Sequence, residues 1–185
     1  MRIIAAFALA GAVTSLSGAA SAQTPYLGLA VTTPGETTLD FPSARQVRNN
    51  NNPLGIKLDG GIDLADGYAL ELGYGAFGTW RTADPTPGST RAFRSSATLW
   101  YAAGKKSFAV GDTLSLFGKL GVAANRFKVS NGREAVRTSF VRPMAGFGAE
   151  YAITKHIGVD LEYDFYGADE HYRQQKLELG LRVGF

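Results

Sequence analysis

Large apolar residues alternate with polar or small residues along most of the chain. In the last ten residues, the odd positions hold Leu177, Leu179, Leu181, Val183 and Phe185, whereas the even positions hold charged residues or glycine. A period of two is the spacing of a β-strand with one apolar and one polar face. Comparable segments recur near 26–31, 56–64, 68–81, 94–109, 114–122, 141–153 and 157–166. The pattern therefore predicts an all-β chain of eight strands.

The charged residues of these strands lie on the polar face. Six strands place 14 charges there and none on the apolar face: Lys57, Asp59, Asp63, Glu71, Arg81, Lys119, Arg142, Glu150, Asp160, Glu162, Asp164, Lys176, Glu178 and Arg182. A soluble sandwich or lipocalin-like carrier would bury the apolar face, whereas a membrane barrel turns it outward to lipid. The segments exceed the roughly 5–6 residues usual in soluble sheets, which favours the membrane barrel.

The first 22 residues form a separate segment. Met1 and Arg2 give a positive start, an apolar run follows to about Leu16, and Ala20-Ser21-Ala22 matches an A-x-A cleavage pattern. These features predict a signal peptide over 1–22 and a single exported barrel domain over 23–185. A membrane anchor is the alternative, but the apolar run is shorter than the ~20 residues needed to span a bilayer.

The connections differ in length between the two ends of the predicted barrel. Residues 65–67, 110–113 and 154–156 are short links, whereas 33–53, 82–93, 130–136 and 167–175 are longer or more polar. Outer-membrane barrels have short periplasmic turns and longer external loops. The sequence thus predicts an eight-stranded antiparallel up-and-down transmembrane β-barrel. Aromatic residues near the strand ends, Tyr68, Trp80 and Tyr151, are expected to form its aromatic girdle.

Two segments give weaker signals. Residues 96–103 have no clean polar face, so the pattern does not fix the register of the strand near 94–109. Pro143 lies inside a predicted strand, where it would remove a hydrogen bond of the ladder. A bulge near the external rim is the expected accommodation.

The composition excludes several kinds of chemistry. The chain has no cysteine and only two histidines, which excludes disulfides, thiol catalysis and a three-histidine metal site. The net charge of +3 is too small to indicate nucleic-acid binding. We therefore expect no cofactor, no metal and no nucleic-acid partner.

Two stretches resemble the small outer-membrane β-barrels, the family of the OmpA transmembrane domain and OmpX-like barrels. Residues 142–152 are similar to the family's Gly-x-Gly-x-Glu-Tyr strand before a short turn, and 161–165 to its partner strand. The resemblance implies that the C-terminal Phe185 is read by the barrel-assembly machinery. It also implies location in the outer membrane of a diderm bacterium after Sec-type export.

Small outer-membrane enzymes that modify lipid A are the catalytic alternative within this resemblance. The deacylase pattern is a His-x-Ser pair, but His156 is followed at +2 by Gly158, and His171 by Arg173. Neither histidine has a serine nucleophile to activate. We therefore predict no catalytic residue and no enzyme activity.

The narrow lumen of an eight-stranded barrel is normally filled by side chains. Buried charges are usually paired, so the inward charges are expected to plug the lumen as ion pairs. The residues nearest mid-strand are expected to form its centre, with Arg142 and Glu162 as one possible pair: Glu71, Lys119, Arg142, Glu150, Glu162 and Arg182. The alternative is a narrow ion channel with these charges as its gate.

The external loops are rich in arginine. Guanidinium groups bind phosphate well, and lipopolysaccharide presents phosphates at this level, so the loops are candidate contacts for it. A merely solvated loop surface is the alternative. The candidate residues are Arg45, Arg48, Arg91, Arg94 and Arg133. The predicted function is therefore non-enzymatic: envelope structure, contact with membrane lipid, and loop-mediated interaction with a surface ligand of unknown identity.

Overall fold

The computed structural model describes residues 24–33, 37–41, 44–49, 54–83, 92–130, 135–169 and 172–185. The predicted signal peptide, residues 1–22, lies outside these ranges. Ten strands follow in chain order: β1 Thr24–Thr32, β2 Thr37–Phe41, β3 Ala44–Asn49, β4 Gly55–Asp63, β5 Tyr68–Ala83, β6 Ala92–Ala109, β7 Leu114–Ser130, β8 Ala135–Ala152, β9 Ile157–Asp169 and β10 Tyr172–Gly184. A short 3-10 turn, Ala65–Gly67, joins β4 to β5.

Eight of these strands close into a barrel. The pairing order runs β1, β4, β5, β6, β7, β8, β9 and β10, and β10 pairs again with β1. Every pairing is antiparallel; at the closure Leu27 lies opposite Val183 and Leu29 opposite Leu181. Closure satisfies the backbone groups that an open sheet edge would expose to lipid. The predicted eight-stranded antiparallel up-and-down barrel is confirmed.

The segment 33–53, predicted as an external loop, contains the hairpin of β2 and β3. The start of β10 pairs with β2, placing Tyr172 opposite Leu39 and Gln174 opposite Thr37. The hairpin therefore continues the barrel wall beyond the eight-stranded part. The threonines and apolar residues of this stretch have a high propensity for β-strands. The many polar residues around them made the stretch resemble a loop in the sequence.

Side chains alternate between the lipid-facing wall and the lumen as the sequence predicts. Leu70 and Leu120 are 61% and 73% exposed on the outside, whereas Lys57 and Lys119 are 2% and 3% exposed inside. This arrangement is the inverse of a soluble sandwich and excludes a lipocalin-like carrier with an apolar interior. Among the residues that the structure describes, no helix is long and apolar enough to cross a membrane.

The register of β6, which the pattern did not fix, places its odd-numbered residues in the lumen. Leu99, Tyr101 and Lys105 are buried, whereas Trp100 is exposed on the outer wall. Small residues on both faces of this strand explain why alternation was hard to read there. Tyr101 therefore lies in the lumen, a position that the sequence pattern did not predict.

A bulge between Phe77 and Thr79 interrupts the alternation of β5. Beyond it Thr79 is exposed and pairs with Ser96, so the rule that odd-numbered residues of β5 face the lumen, which holds for Glu71, ends at the bulge. A bulge adds one residue to a strand, and each residue beyond it moves to the opposite face. The backbone of Trp80 pairs with that of Ser95, and the Trp80 side chain lies outside the described atoms, so its place in the girdle stays a prediction.

The three short turns lie where the sequence places them. Hydrogen bonds close them from Leu64 N to Tyr68 O at 2.7 Å, from Val110 N to Leu114 O at 2.9 Å, and from Ile153 N to Ile157 O at 2.8 Å. In the first turn Asp66 and Gly67 have φ of 59° and 73°, a left-handed conformation that Gly and Asp tolerate best. Short turns at one end identify it as the periplasmic end.

Pro143 is accommodated without the predicted bulge. It pairs with Val122 of β7 in regular register, so that prediction is wrong. On its other side the pairing of β8 with β9 begins only at Met144, opposite Tyr166. Pro143 thus lies just beyond the β9 ladder, where a missing N–H removes no hydrogen bond to that strand.

Candidate functional site

Six charged side chains from five strands meet in the lumen and are almost completely buried. We name them the central ionic cluster: Lys57, Glu71, Lys119, Glu162, Asp164 and Glu178. Each lies on the inward face of its strand, which explains why all six share the lumen. Burial of charge is tolerated only where opposite charges and hydrogen bonds replace water.

Two ammonium groups hold the four carboxylates of this cluster together. The Nζ atom of Lys57 lies 2.8 Å from Glu162 Oε2 and 3.6 Å from Asp164 Oδ2, and it contacts Glu178. The Nζ atom of Lys119 lies 2.9 Å from Glu71 Oε1 and also contacts Glu162. Glu162 therefore bridges the two lysines, so the cluster is one connected network.

Three tyrosines donate further hydrogen bonds to Glu71 and Asp164. The Tyr26 and Tyr101 hydroxyls donate to the two oxygens of Glu71 at 2.7 and 2.6 Å, and the Tyr166 hydroxyl donates to Asp164 Oδ2 at 2.7 Å. Hydrogen bonds to a charged acceptor are stronger than those between neutral groups. The tyrosines therefore fix the carboxylates as well as filling space.

Glu162, Asp164 and Glu178 lie close enough together to suggest a cation site. One carboxylate oxygen from each lies within 4.8 Å of the others. Two ammonium groups already lie among these carboxylates: Lys57 contacts all three, and Lys119 contacts Glu162 and Asp164. The geometry is therefore that of a structural ion-pair network.

A second network, the lower ionic cluster, lies nearer the periplasmic end and comprises Asp63, Lys105, Glu150 and Arg182. Arg182 Nη1 donates to the two oxygens of Glu150 at 3.0 and 2.8 Å, and Nη2 contacts Asp63. Lys105 Nζ lies 3.2 Å from Glu150 Oε2. The Arg182 guanidinium also lies 3.8 Å from the centre of the Tyr26 ring, a cation–π distance. Tyr26 thereby touches both clusters.

An apolar layer fills the lumen on the extracellular side of the central cluster. It includes Phe77, Leu99, Phe127, Met144 and Tyr166, all of them buried. The filling is thus partly hydrophobic, whereas the inward charges alone predicted an ionic plug. The Lys176 ammonium lies 3.0 Å from the centre of the Phe77 ring and joins the apolar layer to the charges below.

Glycines opposite the large lumen side chains make the filling possible. A Cβ atom at Gly73 would lie 2.1 Å from the Tyr101 ring, and one at Gly146 would lie 2.2 Å from Asp164 Oδ1. Each glycine is the direct cross-strand partner of the residue that it accommodates. Glycine at these two positions therefore has a packing reason.

Five of the six lumen residues predicted as the centre lie in the two clusters. Glu71, Lys119 and Glu162 lie in the central cluster, and Glu150 and Arg182 in the lower one. Arg142 joins neither, and its guanidinium lies 5.4 Å from the Phe140 ring. The residue opposite Glu162 is Gly148, six positions along β8 from Arg142, so Arg142 and Glu162 are not partners.

The structure shows where some of the residues predicted for the aromatic girdle and the external loops lie. Tyr68 and Tyr151 are exposed on the outer wall near the periplasmic end. Trp100 and Tyr74, which were not predicted, pack together further up the outer wall, six residues along β5 from Tyr68, with ring centres 4.8 Å apart. Of the loop arginines, Arg94 is exposed on β6, and Arg45 and Arg48 lie on β3 with undescribed side chains; Arg91 and Arg133 lie outside the described residues.

A closed barrel with an apolar outer wall and a filled, charged lumen defines the class of small transmembrane barrels. The family described as "Outer membrane protein beta-barrel domain" matches residues 4–185, and the chain belongs to that family. The resemblance drawn from residues 142–152 and 161–165 is thereby confirmed. A comparison with curated proteins found no match.

Solved structures share the fold at low sequence identity. Neisserial surface protein A is 14% identical with a TM-score of 0.63, over 89% of this chain and all of that one. Ail of Yersinia pestis, in complex with the heparin analogue sucrose octasulfate, is 14% identical with a TM-score of 0.61, over 88% and 97%. The N-terminal barrel of Pseudomonas aeruginosa OprF is 16% identical with a TM-score of 0.59, over 86% and 97%.

Proposed function

We propose that the protein is a non-enzymatic barrel of the bacterial outer membrane, closed to solutes, that serves envelope structure and surface interaction. The observation that carries this proposal is the filling of the lumen. The lower ionic cluster, the central ionic cluster and the apolar layer follow one another along the barrel axis. An eight-stranded barrel offers little space beyond that occupied by its own side chains.

The non-enzymatic part of the proposal rests on the position of the histidines. His156 lies exposed in a periplasmic turn, where its backbone N–H donates to Thr154 Oγ1 at 3.2 Å. His171 lies outside the described residues. Within the described part of the chain, no histidine lies beside a serine or threonine placed on the lipid-facing wall, as a lipid A hydrolase would require.

Expression of the full chain in a diderm host tests both parts of this proposal. We expect neither faster uptake of small hydrophilic antibiotics nor a change in the mass of lipid A. A 16-stranded porin, whose lumen is an open channel, is the positive control for uptake. Faster uptake would identify a pore, and a lipid A species with a changed number of acyl chains would identify an enzyme; either result would refute the proposal.

The surface interaction is assigned to the extracellular end. The arginines of that end are the proposed contacts for lipopolysaccharide phosphate: Arg45, Arg48, Arg91, Arg94 and Arg133. Phe185, exposed at the opposite end with its N–H 3.0 Å from Pro25 O, is the proposed contact for the barrel-assembly machinery. Signal cleavage after residue 22 and Sec-type export belong to the same proposal.

A further inference from the structure

The outer face of β7 changes from apolar to basic between Val122 and Arg126. On the membrane side Val122 faces outward and Lys119 faces the lumen. Further along the strand Arg126 and Lys128 are exposed on the outside, while Phe127 is buried inside. Because lipid tails require an apolar wall, this reversal marks the extracellular edge of the apolar band.

The two neighbouring strands change in the same way. On β6 the outward side chain of Trp100 is followed towards the extracellular end by Thr98, Ser96 and the exposed Arg94. On β8, Val141 is exposed on the outer face. Arg137, four residues nearer the extracellular end, is also exposed. Three adjacent strands therefore place polar side chains outside from this level upward.

Four cationic residues occupy neighbouring positions on this part of the outer wall. We name them the outward basic patch: Arg94, Arg126, Lys128 and Arg137. Lys128 lies directly opposite Arg137 across the β7–β8 pair. Arg126 lies opposite Thr98 and Ser139, and Arg94 lies opposite Ser130. Opposite residues of an antiparallel pair have Cβ atoms about 4.5–5.5 Å apart and diagonal ones about 7–8 Å, so the four side chains can reach one ligand.

Within the described parts of β6, β7 and β8, the wall around these cations carries no counter-charge. Residues 92–100, 122–130 and 135–143 together contain five lysines or arginines and no aspartate or glutamate. The fifth cation is Arg142, on the other face of the sheet from Val141. None of the patch residues forms an ion pair with a carboxylate of the described residues. Like charges directly opposite one another destabilise a sheet, so an anion from outside the chain would stabilise this one.

The apolar wall beneath the patch indicates the kind of anion. Trp100, Val122 and Val141 are exposed on the same three strands. Val122 and Arg126 are four residues apart, or about 13 Å along the strand. A ligand that covers both surfaces needs an anionic head and apolar chains, which a soluble polyanion lacks.

We propose that the outward basic patch binds the phosphate groups of a phosphorylated glycolipid of the outer leaflet, whose acyl chains cover the apolar wall below. The inference rests on the proposed location in the outer membrane. It assigns the lipopolysaccharide contact to the barrel wall, above all to Arg126 and Lys128, in addition to the loops. Arginine can bind phosphate with two parallel hydrogen bonds, and lysine adds a point charge.

Native mass spectrometry of the full protein tests the proposal, with lipid A carrying two phosphates as the probe. The same lipid with its phosphates removed is the comparison ligand. We expect the double variant R126Q/K128Q to bind the phosphorylated lipid about 25-fold more weakly than the wild type does. Each cation near a charged membrane surface contributes about a fivefold change in affinity, and the variant removes two. The control K106Q/K155Q removes two lysines at the periplasmic end, the half-buried Lys106 and the exposed Lys155, and should change binding less than about twofold. The charge-conserving variant R126K/K128R should bind more tightly than R126Q/K128Q.

Two results would overturn the proposal: equal binding of the phosphorylated lipid by the wild type and R126Q/K128Q, or equal binding of both lipids by the wild type. Migration of unheated samples in a gel verifies that each variant is folded. A wild type that forms a pore would refute the proposed closed barrel without changing the lipid result. Failure of the patch and failure of the proposed function are therefore distinguishable.

Discussion

Replacement of Lys57 by methionine is expected to lower the free energy of unfolding of the barrel by about 3–5 kcal/mol. The Lys57 ammonium contacts Glu162, Asp164 and Glu178, all of them buried. Methionine retains an apolar side chain of similar length but removes the charge. The three carboxylates then lose the cation nearest to them, and Lys119 alone remains for the cluster. Urea unfolding, followed by the gel migration of unheated samples, measures the difference.

The matched control is Lys106→Met on the outer wall. Lys106 is half-buried; its ammonium lies 3.9 Å from the centre of the exposed Tyr68 ring and contacts the backbone oxygen of Asp66 in the periplasmic turn. Its loss should cost no more than about 1 kcal/mol, because charge interactions near the surface are weak. If Lys57→Met and Lys106→Met were equally stable, the central ionic cluster would not be the network of buried charges described above.

Replacement of Gly73 by alanine is expected to destabilise the barrel by about 1–3 kcal/mol, or more if the ring cannot move. The new methyl group would lie 2.1 Å from the Tyr101 ring. That ring is held by the 2.6 Å hydrogen bond from its hydroxyl to Glu71 Oε1. Relief of the clash therefore requires the loss of a buried hydrogen bond to a carboxylate. The same unfolding assay measures this change.

Gly104→Ala provides the control for Gly73→Ala. Gly104 lies on β6, and a Cβ atom there would meet nothing within 4 Å. The same chemical change should therefore alter the stability by no more than about 0.5 kcal/mol. Equal destabilisation by both changes would point to a general effect of alanine in these strands and would contradict close packing of Tyr101 against Gly73.

The sequence predicts which residues face the lumen far better than which of them meet. A charged residue on a lipid-exposed face is costly, so charge alone assigns each strand its inner face. Contacts between strands depend on height along the barrel axis, and strands of unequal length are tilted and staggered. Lys57 is the third residue of β4, yet it meets Glu178 near the middle of β10. A position near mid-strand therefore predicts poorly which lumen residues contact one another. For this reason the predicted pair of Arg142 and Glu162 was wrong.

Other residues were missed because the strands extend beyond the membrane. The alternation of β7 was readable only to Val122, but the strand continues to Ser130. Beyond the lipid the outer face becomes polar, so a search for apolar outward residues ends too early. Arg126 and Lys128 fell between the predicted strand and the predicted loop for this reason. A switch in which face carries the charges is the signal that would have found them.

A single-channel recording in a planar bilayer tests the closed lumen most directly, with protein purified from the outer membrane of cells that express the full chain. Two ionic clusters and an apolar layer fill the lumen, so we expect no conductance steps above the bilayer baseline. The 16-stranded porin, recorded under the same conditions, shows that the assay detects an open lumen. Reproducible steps of constant size from the wild type would contradict the filled lumen and identify a conducting path past Lys57 and Lys119.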